Sequence, residues 1–206
     1  MTGLSEIRKR VAYHLTNPAV KILAIAKITP NTVSWAGFLL SLVAAYLIAR
    51  GYLLTSGIIV LIASSFDILD GALARYAGKV TRFGGILDST FDRVSEAALW
   101  LGVLVLFLTT DNYRFWPVSS NWAIVILALV MVGSPLVSYL RARAEAAGLD
   151  CQIGVFTRTE RVIVFVLGLL FNQLVIALVI IAVLSFVTAG QRILFIWQKT
   201  KREPIC

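Results

Sequence analysis

The sequence predicts an all-α integral membrane protein with six transmembrane helices and an N-terminal interfacial amphipathic helix. Of the 206 residues, 59% are hydrophobic and only 15% are charged, which leaves too little polar surface for a soluble domain of this length. Apolar runs of about 20 residues, the length that a helix needs to cross the hydrocarbon core, recur along the chain. We therefore interpret residues 1–206 as a single membrane domain.

The start of the chain predicts a helix that lies along the membrane surface. Within residues 3–15, hydrophobic side chains fall on one helical face and basic side chains surround it; the hydrophobic ones are Leu4, Ile7, Val11 and Leu15. Such a helix is typical of the cytoplasmic interface, where basic residues meet anionic headgroups. The segment lacks the apolar stretch of a signal peptide. An ordinary soluble helix remains the alternative interpretation.

Hydrophobic patterning and turn residues divide the rest of the chain into six predicted spans. Gly51 separates the first two spans, and Asn172-Gln173 forms a tight turn between the last two. The predicted spans cover residues 31–49, 52–76, 84–109, 118–143, 158–172 and 174–198.

The net charge of +8 is distributed unevenly along the predicted spans. With the N-terminus inside, the outer connections carry only Arg50 and Arg114, and the other Lys and Arg residues lie on the inner side. This asymmetry predicts that both termini face the cytoplasm. It also indicates phosphates at the membrane, and no nucleic acid, as the partner of the positive charge.

Four aspartates near the inner ends of the second and third spans are the main candidates for chemistry. Asp67 and Asp70 are three residues apart on one helix, and Asp88 and Asp92 are four apart on the next, so each pair shares a face. The short connection 78–83 predicts antiparallel neighbours whose carboxylates can meet. Gathered carboxylates repel one another unless protonated or bound to cations, and Mg²⁺ and Mn²⁺ prefer such oxygen ligands. Ion pairs with nearby basic residues and proton-coupled transport remain alternatives.

Residues around the aspartates suggest a site for a phosphate-containing substrate. Gly71 directly follows the first aspartate pair and removes a side chain where a substrate would approach the backbone. Arg75 can make bidentate contacts to a diphosphate, and Thr81 offers a hydroxyl at the same level. Gly84 and Gly85 open the third span beside the second aspartate pair.

These residues form one continuous pattern, Asp67-x2-Asp70-Gly71-x2-Ala74-Arg75-x8-Gly84-x3-Asp88-x3-Asp92. The pattern resembles the signature of the CDP-alcohol phosphotransferase family, and every fixed position is filled. The resemblance implies an interfacial N-terminal helix followed by six spans, usually assembled as a homodimer. Residues 29–34, which open the first span, resemble the family segment that contacts the cytidine nucleotide.

The resemblance also implies a role for each site residue. It implies two divalent ions, Mg²⁺ or Mn²⁺, and a general base, Asp92, which takes the proton of the acceptor hydroxyl in a direct displacement at phosphorus. The implied metal ligands are Asp67, Asp70, Asp88 and Asp92. The implied contacts of the CDP-lipid are Asn31, Thr32, Val33, Ser34, Gly71, Arg75 and Thr81.

A group of arginines predicts that the acceptor carries a phosphate. Arg141 ends the fourth span, Arg158 and Arg161 share a face at the start of the fifth, and Arg192 lies within the sixth. We expect them at one membrane level, in a pocket beside the aspartates. Several buried cations suit a phosphorylated acceptor better than a neutral one, because unpaired buried charge is costly. Positive-inside flanking charge is the alternative, although Arg192 sits within an apolar helix.

The predicted function is a step of phospholipid biosynthesis. Residues 138–145 and 156–161 also resemble the branch that makes phosphatidylinositol phosphate or archaetidylinositol phosphate, in which matching positions bind the inositol phosphate group. The enzyme would transfer a phosphatidyl or archaetidyl group from a CDP-lipid to the hydroxyl of inositol 1-phosphate and release CMP. Glycerol 3-phosphate or another alcohol remains an alternative acceptor, and an ion or proton-coupled transporter remains an alternative class.

The expected setting follows from this function. The active site should face the cytoplasm from within the cell membrane. The expected partners are the CDP-lipid donor, a phosphorylated polyol, membrane lipids and a second copy of the chain.

Overall fold

The computed structural model describes residues 18, 20–26, 28–78, 80–109, 119–151 and 153–202, and within them all regular structure is helical. Six helices of 13 residues or more follow one another: α1 Pro30–Ala49, α2 Leu53–Tyr76, α3 Arg82–Thr109, α4 Ser120–Ala146, α5 Arg158–Leu170 and α6 Leu174–Arg202. Their limits match the six predicted spans to within four residues. The predicted interfacial helix at 3–15 lies outside the described residues.

Four of these helices are long and apolar enough to cross a membrane: α1, α2, residues Asn121–Ala146 of α4 and residues Leu174–Lys201 of α6. The prediction of an all-α membrane protein is therefore confirmed. Helix α3 is long enough, but its last 18 residues still contain three ionisable side chains, Asp92, Arg93 and Glu96. Helix α5 has only 13 residues. The count of six spans accordingly stays a prediction.

The surface of these helices is what a lipid environment requires. Large apolar side chains are exposed on several helices, among them Leu39, Leu61, Leu108, Val132 and Val183. Small polar side chains are buried instead, and the hydroxyl of Ser56 donates to the carbonyl of Leu53 at 2.7 Å. Internal satisfaction of polar groups is obligatory where water is absent.

The chain divides into two compact units. The first unit comprises the described residues of Met1–Ala44 and Ile59–Leu99, and the second comprises those of Ala45–Ile58 and Trp100–Cys206. The helices α1, α2 and α3 each contribute residues to both units. Each unit is described by itself below.

In the first unit, aromatic and aliphatic contacts hold α1, α2 and α3 together. Buried Val20, Val33 and Leu73 form a hydrophobic cluster. On α3, Phe91 stacks on Phe38 of α1 with ring centroids 4.8 Å apart. Because Phe91 belongs to the same turn as the second aspartate pair, this stacking fixes the turn against α1.

In the second unit, small residues let helices approach closely. A Cβ at Gly102 would lie 2.4 Å from the carbonyl oxygen of Ala45, and one at Gly168 would lie 2.4 Å from the Cβ of Ala177. Close approach through small residues is the usual mode of helix packing in membranes. Helix α6 packs against both α4 and α5. The tight turn between α5 and α6 is confirmed, with Asn172 at φ 55°.

Candidate active site

The first unit contains a pocket of about 260 Å³. The start of α1, the end of α2, the connection before α3 and the first turns of α3 all contribute to its wall. It is lined by Pro30, Asn31, Ser34, Asp70, Gly71, Ala74, Arg75, Val80, Thr81, Gly84, Gly85 and Asp88. Two halves of the sequence pattern and the segment that opens α1 therefore meet at one pocket.

Asp70 is the most enclosed carboxylate of this pocket, with 5% of its surface exposed. The hydroxyl of Ser34 donates to Asp70 Oδ2 at 2.5 Å, which ties α1 to α2. Asp67 and Asp88 both lie close enough to Asp70 to interact with it electrostatically. Asp67 and Asp92 are not among the lining residues of the pocket.

The oxygen chemistry of this carboxylate group fits a divalent metal ion. Among the described residues, no three Asp, Glu, His or Cys side chains form a ready-made metal centre. However, Asp70 and Asp88 line the same pocket, and carboxylate oxygens are the ligands that Mg²⁺ and Mn²⁺ prefer. A buried carboxylate with two others nearby is also stabilised by a cation. The predicted assignment of all four aspartates as ligands stays a prediction.

The first turn of α3 gives the pocket an end that suits anions. The backbone N–H of Gly84 donates to Thr81 Oγ1 at 2.9 Å, so Thr81 caps this helix. The N-terminus of a helix carries partial positive charge and exposed N–H groups, a combination that binds phosphate. Gly84 and Gly85 were predicted to open the third span beside the second aspartate pair but were not assigned a donor contact, and both line the pocket. Thr81 is itself the N-cap signal for this helix end.

Arg75 lines the same pocket as the N-terminus of α3. A Cβ added at Gly71 would lie 3.5 Å from Arg75 Nη1, so the bare glycine leaves space beside the guanidinium. A cation, a helix N-terminus and an open glycine surface together suit a diphosphate.

Most of the predicted nucleotide contacts line the pocket, namely Asn31, Ser34, Gly71, Arg75 and Thr81. Thr32 and Val33 lie elsewhere, because consecutive residues of a helix point in different directions. The hydroxyl of Thr32 is hydrogen-bonded to that of Thr29 at 2.8 Å, and Val33 is buried in the hydrophobic cluster. Pro30, Ala74 and Val80 were not predicted as site residues. Nothing in the sequence around Val80 indicates that it lines the pocket.

The four predicted acceptor arginines all belong to the second unit and differ in burial. Arg161 and Arg192 are 1% and 3% exposed, and Arg158 is partly buried. Arg141 is 51% exposed and pairs with Glu145 at 2.8 Å. Arg141 and Arg161 both lie close enough to Arg192 to interact with it electrostatically. The structure therefore brings Arg141, Arg161 and Arg192 near one another, and the role of the four arginines with an acceptor stays a prediction.

Arg192 already has backbone partners. Its Nε donates to the carbonyl of Ile153 at 2.8 Å, and its Nη1 donates to the carbonyl of Val137. The sequence gives no sign of these contacts, because both carbonyls lie far from residue 192 along the chain.

Comparison with known proteins identifies the pattern that lines the pocket. Residues 27–192 match the family described as CDP-alcohol phosphatidyltransferase, which confirms the resemblance of the signature. An archaetidylinositol phosphate synthase of Pyrococcus horikoshii is 40% identical, over 92% of this chain and 94% of the relative. A phosphatidylinositol phosphate synthase of Mycobacteroides abscessus is 36% identical, over 93% of this chain and 87% of the relative.

Solved structures show the same likeness. The crystal structure of the phosphatidylinositol phosphate synthase of Mycobacterium tuberculosis with CDP-DAG bound is similar with a TM-score of 0.78 and 31% identity, covering 89% of this chain and 94% of that one. The structure of that enzyme with manganese and citrate also matches with a TM-score of 0.78, covering 88% of both chains.

Proposed function

The chain belongs to the CDP-alcohol phosphatidyltransferase family, and on that premise we propose that it makes an inositol phosphate lipid. The reaction transfers a phosphatidyl or archaetidyl group from a CDP-lipid to the hydroxyl of inositol 1-phosphate and releases CMP. The relatives named as archaetidylinositol phosphate synthase and phosphatidylinositol phosphate synthase support this choice of product.

The observation that carries the proposal is the composition of the pocket. One volume of about 260 Å³ combines two carboxylates, an arginine, a capped helix N-terminus and an open glycine surface. A CDP-lipid offers complementary groups, because its diphosphate is anionic and its nucleotide is polar. An ion or proton pathway needs neither the arginine nor the helix N-terminus beside the carboxylates.

Each residue has a distinct task in the proposed reaction. Asn31, Ser34, Gly71, Arg75 and Thr81 line the volume that receives the CDP part of the donor, with Arg75 and the α3 N-terminus at the diphosphate. Asp92 takes the proton of the acceptor hydroxyl as that oxygen attacks the lipid-side phosphorus. CMP leaves with the electron pair of the broken P–O bond.

Divalent metal completes the proposed site. Two ions, Mg²⁺ or Mn²⁺, would be held by Asp67, Asp70, Asp88 and Asp92, and bound metal supplies neutralisation of the diphosphate charge. The presence of manganese in a structure of the M. tuberculosis enzyme supports the use of a divalent ion.

The proposed acceptor contacts are the arginines of the second unit. Arg158, Arg161 and Arg192 would bind the acceptor phosphate, with Arg141 at the edge of the group because it is half exposed and paired with Glu145. A dianionic phosphate is attracted by several neighbouring cations, whereas a neutral polyol gains no such attraction. This preference favours inositol 1-phosphate over free inositol.

A panel of acceptors tests the proposal directly. The purified protein would be assayed for CMP release with CDP-diacylglycerol and with its archaeal diether counterpart, each offered inositol 1-phosphate, glycerol 3-phosphate, free inositol or serine. We expect turnover with inositol 1-phosphate and little with free inositol. Faster turnover with glycerol 3-phosphate would change the acceptor and leave the transferase intact. Absence of CMP release with every acceptor would contradict the proposed function.

We extend the proposal to the arrangement in the membrane. All six helices would cross the cell membrane, with both termini and the active site on the cytoplasmic side, and two copies would form a homodimer. The Lys and Arg asymmetry supports the orientation. Reporters fused at residue 1 and after Cys206 should read cytoplasmic, and one near Asn112 should read external. An external C-terminus would contradict the six-span arrangement.

A further inference from the structure

The connection between α4 and α5 is fastened to α6 at two points in the second unit. Arg192 of α6 donates from Nε to the carbonyl of Ile153. Three residues later, the backbone N–H of Phe156 donates to the hydroxyl of Thr188 at 3.2 Å. The two side chains lie one turn apart on α6, so a single face of that helix holds the connection.

Gly154 lies between the two fastened residues and fits this face closely. Its φ of 140° is a backbone conformation that side chains rarely adopt. A Cβ there would lie 2.7 Å from Thr188 Cγ2 and 3.2 Å from Arg192 Nε. The connection therefore lies against Thr188 and Arg192 without room for a side chain.

The fastened connection leads directly into α5. That helix begins at Arg158, two residues after Phe156, and its first turn contains Arg158 and Arg161. The backbone N–H of Thr157 donates to the side chain of Glu160 at 2.8 Å, which fixes the start of the helix. Few rotatable bonds separate the Thr188 contact from the two arginines.

We propose that Thr188 is a positioning residue for the acceptor: its hydroxyl holds the backbone of Phe156 and thereby sets the place of Arg158 and Arg161. Thr188 is 1% exposed, so it acts through the connection and does not touch substrate. This inference rests on the proposed function, in which the two arginines bind the acceptor phosphate. A displaced first turn of α5 weakens acceptor binding, whereas the CDP-lipid contacts assigned above belong to the first unit.

Two substitutions and one control separate the hydroxyl from the rest of the side chain. Thr188→Val keeps the shape of the side chain but removes the hydroxyl that accepts the hydrogen bond from the Phe156 N–H. Thr188→Ser keeps a hydroxyl at this position. Ser185→Ala is the matched control, because Ser185 is fully buried on the same helix and its hydroxyl has no hydrogen-bond partner among the described residues. Gly154→Ala provides a second route, since its Cβ would push the connection away from Thr188.

The experiment combines kinetics with amide hydrogen exchange. For Thr188→Val we expect faster exchange at Phe156 and an increase of about tenfold in the acceptor KM, the effect of losing one buried hydrogen bond. The donor KM should stay within about twofold, and Thr188→Ser and Ser185→Ala should resemble the wild type. If Thr188→Val does not fold, Gly154→Ala should give the same kinetic pattern.

Faster exchange at Phe156 with an unchanged acceptor KM would overturn the inference while the proposed function stands. So would equal defects in Thr188→Ser and Thr188→Val, because the hydroxyl would then not be the cause. A wild-type protein that does not use inositol 1-phosphate would overturn the proposed function itself, and that failure is recognised without any variant.

Discussion

Charged side chains are concentrated in the pocket of the first unit and in the arginine group of the second unit. The two regions differ in how far these side chains are enclosed. The pocket is open and its groups face a volume of about 260 Å³, with Asp70 as its one nearly buried carboxylate among the described lining residues. In the arginine group, Arg161 and Arg192 are almost fully enclosed, and Arg192 donates to two backbone carbonyls. The first region is suited to admit a large ligand, and the second to hold cations in a fixed geometry.

The largest expected effect is the loss of activity when metal is removed from the pocket. A chelator should abolish CMP release, and added Mg²⁺ or Mn²⁺ should restore it. Asp70→Ala should stay inactive at every tolerated metal concentration, because no neighbouring group replaces a carboxylate ligand. Mn²⁺ binding, followed by electron paramagnetic resonance, should be weakened in the same variant. Full activity in chelator would show that the carboxylates serve another purpose.

The next effect concerns the proton that leaves the acceptor. Asp92→Asn keeps the size of the side chain but cannot accept a proton at neutral pH. We expect kcat to fall by at least about 10²-fold while the donor KM changes little. Glu96→Gln, one turn further along α3, is the matched control and should have a much smaller effect. Near-normal kcat in Asp92→Asn would remove Asp92 from the role of general base.

A smaller effect sharpens the contrast within the arginine group. Arg161→Ala and Arg192→Ala should each reduce kcat/KM for inositol 1-phosphate by about 1.5–3 kcal/mol, as for a charge-assisted hydrogen bond. Arg141→Ala should cost less than either, because its guanidinium is half exposed and already paired with Glu145. If instead all three variants raised only the donor KM, the arginines would not be acceptor contacts.

The sequence predicted those features that depend on spacing along one helix. The helix limits followed from the lengths of apolar runs, since each helix must satisfy its own backbone in lipid. The signature likewise predicted that Asp70, Gly71, Arg75 and Asp88 would meet, and all four line one pocket. Periodicity therefore located both the helices and the residues that each helix presents.

Features that depend on contacts between distant segments were missed. Thr32 and Val33 were grouped with Asn31 because residues 29–34 resemble the family's nucleotide-contacting segment, and of these three residues only Asn31 lines the pocket. The carbonyl partners of Arg192 could not be predicted from the sequence either. Every residue has a carbonyl, and only the fold determines which ones lie near the guanidinium. A buried arginine in an apolar helix indicates that partners exist, and it does not identify them.

The shortness of α5 has a consequence for the bilayer around the protein. Its 13 residues rise about 20 Å, whereas a hydrocarbon core is about 30 Å thick. If α5 crosses the membrane as proposed, such a hydrophobic mismatch would draw the lipid boundary inward, at a fraction of a kcal/mol for each ångström. On that arrangement, bilayer thickness would act on the helix that carries Arg158 and Arg161, and the acyl-chain length of the host membrane would be a physical control on the proposed reaction.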